Sequence, residues 1–114
     1  ALAMIETQKA LDNLDQIVSV ERLDAVFVGP SDLGLSLGYV PGNHEEPVLL
    51  EAIETILKTA KSHGKKTGIY TLTPEYAKRM IKLGFDYVVI SSDARLMIAQ
   101  AKQVLADFRL QKIE

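Results

Sequence analysis

The stretch Ala25-Val26-Phe27-Val28-Gly29-Pro30-Ser31-Asp32 joins a short apolar run to a turn that ends on an acid. Four apolar residues without polar alternation are typical of a buried strand in a parallel sheet, and Gly-Pro marks the turn that follows. Upstream, a second apolar run, Leu2-Ala3-Met4-Ile5, is followed at once by Glu6. We therefore predict two equivalent strand ends, each of which carries a carboxylate.

The rest of the chain repeats this alternation of apolar runs and amphipathic segments. We predict strands at residues 2–5, 25–28, 66–71 and 87–91, and helices at about residues 8–20, 47–63, 74–83 and 93–108, with a short helical turn from Asp32. Apolar residues three and four apart predict the buried face of a helix. In the second helix they are Val48, Leu49, Ala52, Ile53, Ile56, Leu57 and Ala60, and in the last they are Met97, Ala101, Val104, Leu105 and Phe108.

Strands that alternate with helices predict the α/β class, with a parallel sheet covered by helices. A doubly wound sheet and a (β/α)₈ barrel both fit this pattern. A full barrel takes about 250 residues, so four β-α units in 114 residues amount to half of one. Four parallel strands cannot close a barrel, and an open half exposes sheet edges. We expect either that another half is missing or that two such chains pair.

Composition excludes several classes of function. A net charge of −2 argues against a nucleic-acid partner, because neutralising phosphates requires a basic surface. The absence of cysteine excludes disulfides, thiolate metal sites and a cysteine nucleophile. No apolar run approaches the roughly 20 residues that span a membrane, and the chain does not open on a secretory leader. We predict a cytoplasmic protein without a nucleic-acid or membrane partner.

The acids at the two strand ends are candidate metal ligands. Because the carboxyl ends of parallel strands share one edge of the sheet, Glu6 and Asp32 should converge despite their separation in sequence. Carboxylate oxygens suit a hard divalent cation such as Mg²⁺ or Mn²⁺. The alternative interpretation is that Glu6, Ser31 and Asp32 only stabilise helix starts, where free backbone N–H groups attract such side chains.

The turn at Gly29–Asp32 is a candidate substrate site. Backbone N–H groups at a strand-to-helix turn can hold a carboxylate, so a 2-oxo acid would bind there beside the metal, with Ser31 contributing its main chain. No lysine is predicted at the carboxyl end of a strand, so nothing indicates Schiff-base chemistry. His44 lies in a polar loop, and we expect it to be solvated.

Four segments together resemble the C-terminal half of the HpcH/HpaI-type class II aldolases, of the phosphoenolpyruvate/pyruvate barrel superfamily. They are Met4-Ile5-Glu6-Thr7, Ala10-Leu11-Asp12-Asn13-Leu14, the run from Leu23 to Leu33, and Ser36-Leu37-Gly38-Tyr39. The resemblance covers essentially the whole chain. It implies that residues 1–114 are a single partial domain, the second half of a TIM (β/α)₈ barrel with four β-α units, and that the N-terminal half is absent.

The resemblance also implies a reaction, which is reversible aldol cleavage of a 4-hydroxy-2-oxo acid into pyruvate and an aldehyde through a metal-stabilised pyruvate enolate. It implies that Glu6 and Asp32 ligate Mg²⁺, Mn²⁺ or Co²⁺. It implies that the backbone at Ser31 helps to hold the pyruvate carboxylate, and we assign Gly29 and Pro30 of the same turn to substrate binding. Met4 and Tyr70 occupy substrate-contacting positions where many relatives have Gln and some have Leu, respectively, so the substrate stays open.

The family's enolate-stabilising arginine and proton-transferring histidine belong to the N-terminal half, so no catalytic residue is assigned in this chain. The resemblance further implies a homo-oligomer, commonly a hexamer, in which the last helix is exchanged between neighbours. Two alternatives remain open. One is a citryl- or malyl-CoA-type lyase of the same superfamily, and the other is a non-catalytic half-barrel that only assembles with a partner chain.

Overall fold

Four parallel strands form one sheet, in the order in which they occur along the chain. The computed structural model describes residues 1–110. All four predicted strands are confirmed, the last ending at Ile90 rather than Ser91. The elements are β1 (Leu2–Ile5), α1 (Gln8–Asp12), α2 (Leu14–Val18), β2 (Ala25–Val28), α3 (Pro30–Ser36), α4 (Pro47–Ser62), β3 (Lys66–Thr71), α5 (Pro74–Leu83), β4 (Tyr87–Ile90) and α6 (Asp93–Leu110).

The register of the sheet brings the carboxyl ends of the strands to one edge. Ile5 at the end of β1 pairs with Val28 at the end of β2, and Val28 pairs in turn with Ile69 of β3. Thr71 at the end of β3 pairs with Ile90 at the end of β4. The segments that follow the strands therefore all begin at this edge, which is the edge that carries Glu6 and the Gly29–Asp32 turn.

The core lies on one face of the sheet, where α2, α4 and α5 pack against the strands. Val26, Val28 and Ile69 have no exposed surface, because alternate residues of a strand point to the same face. The predicted apolar stripe of α4 is confirmed at six positions. The seventh, Val48, is 44% exposed, because it lies about 100° around the helix from Leu49, at the margin of this interface.

The opposite face of the sheet is open. Leu2 and Met4 of β1 are 52% and 47% exposed, and Tyr87 of β4 is 60% exposed. The rings of Phe27 and Tyr87 pack together on this face with 6.2 Å between their centroids. Within residues 1–110, helices cover one face only, whereas a doubly wound sheet has helices on both. The architecture is therefore that of a half-barrel, with β1 and β4 as its edges.

The helix predicted at residues 8–20 is instead two short helices, so that prediction was wrong. The break is at Asn13, whose backbone leaves the helical region (φ −104°, ψ 16°). The Asn13 side-chain amide donates to the carbonyl oxygen of Lys9 at 2.7 Å. A short polar side chain that bonds to nearby backbone in this way competes with the helix ladder. Leu14 and Val18 still reach the core, from α2.

The prediction for the last helix was also wrong, in its buried face. Helix α6 has no buried residue, and its predicted inward residues Met97 and Phe108 are 68% and 62% exposed. Ala101, Val104 and Leu105 are exposed as well. The physical reason is that no other described element packs along α6.

Helix α5 shows how local sequence sets its bounds. The Thr73 side chain accepts a hydrogen bond from the backbone N–H of Tyr76 at 3.2 Å, and Pro74 follows at the first helical position. Gly84 ends the helix with a φ of 114°, a conformation that other residues adopt only with strain. Among residues 1–110, no helix is long and apolar enough to cross a membrane.

Candidate functional site

Glu6 follows β1 directly and does not cap the next helix. The cap of α1 is Thr7, whose hydroxyl oxygen accepts a hydrogen bond from the backbone N–H of Ala10 at 3.1 Å. Because Thr7 already serves the helix start, the capping interpretation of Glu6 is wrong. Its carboxylate is half-buried at the carboxyl edge of the sheet.

Asp32 and Ser31 are not caps either. Helix α3 begins at Pro30, earlier than predicted, so its cap position is Gly29 and no side chain bonds to the free N–H groups there. Asp32 is the third residue of the helix and is exposed. Its charge still interacts favourably with the first turn of α3. Neither carboxylate is therefore a helix cap, although the charge of Asp32 stabilises the start of α3.

A close approach links Glu6 to the turn before Asp32. The backbone N–H of Gly29 donates to the carbonyl oxygen of Ile5 at 3.4 Å, which ties the two strand ends together. A Cβ atom added at Gly29 would lie 2.9 Å from Glu6 Oε2 and 3.3 Å from Glu6 Cβ. Glycine at this position therefore leaves the space that the Glu6 carboxylate occupies.

One cavity lies beside this turn. It has a volume of about 250 Å³ and is lined by Met4, Phe27, Gly29, Pro30, Ser31, Asp32 and Tyr70. The structure thus brings all five predicted substrate-binding residues and one predicted metal ligand around the same space, and Glu6 lies against Gly29 at its margin. Drug-sized ligands usually occupy about 300–1,000 Å³, so this cavity suits a small molecule.

The donor set fits a hard divalent cation. Within residues 1–110, no group of three or more His, Cys, Asp or Glu side chains is arranged to hold a metal ion. Glu6 and Asp32 are two oxygen donors at neighbouring strand ends, and Mg²⁺ is commonly bound through one or two carboxylates, with water and substrate oxygens in the other positions.

A larger cavity, of about 430 Å³, lies between the ends of β3 and β4 and helix α6. Arg95 and Lys102 are among its lining residues, which include no carboxylate. One of its walls is the exposed helix α6. Because this cavity offers no carboxylate ligand for a cation, we place the candidate site at the smaller one.

His44 is a residue whose place the sequence interpretation missed. It is 6% exposed, so the prediction that it is solvated was wrong. Its Nε2 lies 3.0 Å from Ser31 Oγ, and its ring packs against that of Tyr76 with 5.6 Å between centroids. Burial lowers the pKa of His44, which favours the neutral ring. The one signal in the sequence was Tyr76 on the inner face of α5, which needs a partner for its hydroxyl.

Comparison with known proteins agrees with this geometry. The family model described as HpcH/HpaI aldolase/citrate lyase matches residues 1–100. A hydroxypyruvate/pyruvate aldolase from Rhizorhabdus wittichii is 42% identical over 109 residues, which are 95% of this chain and 43% of that protein. A 2-keto-3-deoxy-L-rhamnonate aldolase from Escherichia coli is 38% identical over 108 residues, which are 95% of this chain and 40% of that protein.

Solved structures show the same fold. The HpcH/HpaI aldolase from Desulfitobacterium hafniense matches 98% of this chain and 43% of its own with a TM-score of 0.89 and 26% identity. A Mycobacterium tuberculosis citrate lyase beta subunit, complexed with oxaloacetate and magnesium, shares the fold over 80% of this chain and 46% of its own, with a TM-score of 0.69 and 21% identity. This chain spans less than half the length of these proteins. The open half-barrel, the acids at its strand ends and the match over residues 1–100 place this chain in the HpcH/HpaI aldolase/citrate lyase family.

Proposed function

We propose that this chain supplies the metal and substrate-carboxylate part of an enzyme that cleaves and forms a carbon–carbon bond in 4-hydroxy-2-oxo acids, with pyruvate and an aldehyde as products. The observation that carries the proposal is the placement of Glu6 and Asp32 next to one small cavity at the strand ends. The names of the relatives, a hydroxypyruvate/pyruvate aldolase and a 2-keto-3-deoxy-L-rhamnonate aldolase, support this reaction class.

Glu6 and Asp32 would hold Mg²⁺, Mn²⁺ or Co²⁺. When bound, the cation would supply Lewis-acid stabilisation of the negative charge that develops on the 2-oxo acid as the bond breaks. The position of Glu6 depends on Gly29, and that of Asp32 on the start of α3 at Pro30. The metal site is therefore built by two neighbouring strand ends.

The turn at Gly29–Ser31 would orient the substrate carboxylate. Pro30 has no N–H, and the first backbone bond of α3 runs from Leu33 N–H to the Gly29 carbonyl oxygen at 2.9 Å. The N–H groups of Ser31 and Asp32 are thus in the part of a helix where donors are free. Met4 and Tyr70 would form the cavity wall that limits the substituent on the oxo acid.

The remaining parts of the enzyme would come from outside this half-barrel. We propose that residues 1–114 are one partial domain, strands five to eight of a (β/α)₈ barrel, and that an N-terminal half covers the open face at Met4, Phe27 and Tyr87. By resemblance, that half carries the arginine and histidine of the reaction. The protein would act in the cytoplasm as a homo-oligomer, by resemblance a hexamer, with the exposed helix α6 packed on a neighbour.

The metal site is tested by calorimetric titration of Mn²⁺, with and without pyruvate, into this chain and into the complete protein that carries it. We expect about one Mn²⁺ per chain, with tighter binding when pyruvate is present. Glu6→Gln and Asp32→Asn should each abolish binding, because each removes one of two charged ligands. Glu51→Gln, an exposed carboxylate on α4, is the matched control and should bind as the wild type does.

Circular dichroism of each variant separates loss of the site from loss of the fold. A folded complete protein that takes up no Mn²⁺, or whose uptake survives both carboxylate substitutions, would contradict the proposal. The reaction itself is followed as pyruvate release from 4-hydroxy-2-oxo acids, coupled to NADH oxidation by lactate dehydrogenase. Pyruvate release that persists undiminished in EDTA would exclude metal dependence.

A further inference from the structure

His44 is buried although its loop is exposed. The loop between α3 and α4 carries Val40 at 75% exposure, and Asn43 and Glu45 on either side of His44 are exposed. Withdrawing one polar ring from water is unfavourable unless it finds hydrogen-bond partners. This ring therefore has a structural or functional reason to be inside.

His44 joins three parts of the chain through its ring and its backbone. Its Nε2 shares a hydrogen bond with Ser31 Oγ at 3.0 Å, in the first turn of α3. The Tyr76 hydroxyl of α5 donates to the backbone carbonyl oxygen of His44 at 3.3 Å. Ser31 lines the candidate substrate cavity, so His44 connects that cavity to a helix that begins after the next strand.

A second set of contacts lies next to these. Glu45 accepts a hydrogen bond from the Arg79 guanidinium at 2.6 Å, and that guanidinium lies 5.8 Å from the centroid of the Tyr76 ring. Tyr76 is itself buried, and burial raises its pKa to about 12, so its hydroxyl stays a donor. The loop is thus held to α5 at His44 and at Glu45.

We propose that His44 is a positioning residue for substrate binding. Through its hydrogen bond to Ser31 Oγ it fixes the Ser31–Asp32 backbone in the orientation that receives the oxo-acid carboxylate. This inference rests on the proposed function, because it assigns His44 a role toward that ligand. His44 itself does not line the cavity and is not a catalytic residue. Affinity for the oxo acid then depends on how firmly the α3–α4 loop is held to α5.

The test uses the complete protein, with Mn²⁺ and pyruvate as probes. It compares substitutions of His44 that place a side-chain nitrogen at different positions. A glutamine can place its amide nitrogen near the position of His Nε2, whereas an asparagine reaches only that of Nδ1. We expect His44→Asn and Ser31→Ala each to weaken pyruvate binding about fivefold, the effect of one neutral hydrogen bond. His44→Gln should restore most of the affinity. The loop control Val40→Ser should leave it unchanged.

Two further readouts distinguish positioning from general damage. Mn²⁺ affinity without pyruvate should change less than twofold in the His44 variants. Backbone amide exchange of residues 29–33 should accelerate in His44→Asn and not in His44→Gln. The Ser31→Ala/His44→Asn double variant should be no weaker than either single variant, because both remove the same bond.

Three results would overturn the inference. Equal pyruvate affinity in wild type and His44→Asn would exclude a positioning role and leave the proposed function intact. Equal loss in the Gln and Asn variants would mean that His44 acts through packing alone. Wild-type protein that binds neither Mn²⁺ nor pyruvate would contradict the proposed function together with this inference.

Discussion

At the scale of single residues, the candidate site depends on the absence of a Cβ atom at Gly29. Its φ of −100° is accessible to any residue, so glycine is not required here for backbone conformation. It is required for space, because the Glu6 carboxylate occupies the volume that a Cβ would fill. The residue type at position 29 is therefore constrained by the side chain at position 6, in the preceding β-α unit.

Gly29→Ala should displace Glu6 and weaken Mn²⁺ binding by roughly tenfold, the effect of losing one well-placed ligand contact. Stability should fall in the wild-type background because the added methyl group meets Glu6 Oε2. In a Glu6→Ala background the same change should cost less stability, because the contact with Oε2 is gone and only the contact of 3.3 Å with the Cβ atom of residue 6 remains. Thermal unfolding of the four proteins measures this difference.

Gly34→Ala in α3 is the control, since its Cβ would make an ordinary contact of 3.5 Å with Leu49. It should leave Mn²⁺ binding intact. If Gly29→Ala lowers the melting temperature equally with and without the Glu6 side chain, the steric account of this position is wrong.

At the scale of elements, α4 is the helix that contributes most to the core. Ile53 and Ile56 have no exposed surface, whereas Val48 on the same helix is 44% exposed. The hydrophobic periodicity predicted all three as inward, and it was wrong only for Val48, at the edge of the stripe. Periodicity gives the direction of a face, but the width of the partner surface decides which residues at the edge of that face are covered.

Ile53→Asp should unfold the domain, because it buries an unpaired charge in a site with no polar partner. Val48→Asp should change the free energy of unfolding by less than about 0.5 kcal/mol, as surface substitutions usually do. Urea unfolding followed by circular dichroism compares the two. A cooperative, wild-type-like transition in Ile53→Asp would show that the inner face of α4 is misassigned.

The junction of β3 and β4 contains a carboxylate that contributes to stability in a defined pH range. Asp86 accepts hydrogen bonds from Lys66 Nζ at 2.9 Å and from the backbone N–H of Thr67 at 3.0 Å. These contacts, Lys66 first, lower the pKa of Asp86 to about 2. A carboxyl with a depressed pKa in the folded state stabilises above its unfolded value, near 3.9, and loses that contribution as pH falls through its folded value.

Asp86→Asn should therefore be less stable than wild type at pH 7, and the difference in melting temperature should shrink between about pH 4 and pH 2. Because the Asp86 side chain is 31% exposed and its partner Lys66 is 76% exposed, solvent screening keeps the difference small. Glu75→Gln, an exposed carboxylate in the first turn of α5, serves for comparison. A gap between wild type and Asp86→Asn that stays constant down to pH 2 would exclude the proposed linkage.

At the scale of the whole molecule, two apolar surfaces lack a partner within residues 1–110. One is the open sheet face, with Met4 and Tyr87, and the other is α6, with Met97 and Phe108 exposed. Large exposed apolar patches on a protein usually mark sites where another protein surface binds. A barrel half and a neighbouring subunit, as proposed above, would cover one each.

Met97→Glu and Phe108→Glu should lower the oligomeric state of the complete protein, because each would bury a charge in an apolar interface. The dissociated chain should keep the circular dichroism spectrum of the wild type. Ala106→Glu, on the opposite side of the same helix, is the control and should leave assembly unchanged. Sedimentation velocity gives the masses, and a wild-type protein that sediments as a monomer would exclude the packing proposed for α6.

Much of the fold could be predicted from the sequence, because its signals are local. The four strands, the bounds of α4 and α5 and the stop at Gly84 follow from apolar runs, Pro at helix starts and Gly after helix ends. The break at Asn13 was missed, since its side-chain bond to Lys9 competes with the helix by a small margin that periodicity does not report. The sequence also predicts Glu6, Asp32 and the Gly29–Ser31 turn as site residues, and their metal and substrate roles stay predictions.

The sequence by itself determined the order of strands and helices and the acids that follow two of the strands. Only the tertiary structure decided that Glu6 fills the space beside Gly29 and that His44 reaches Ser31 and Tyr76. It also decided that α6 lies outside the core. The physical reason is range, because propensity and capping act over a few neighbouring residues, whereas burial depends on surfaces brought together from distant parts of the chain.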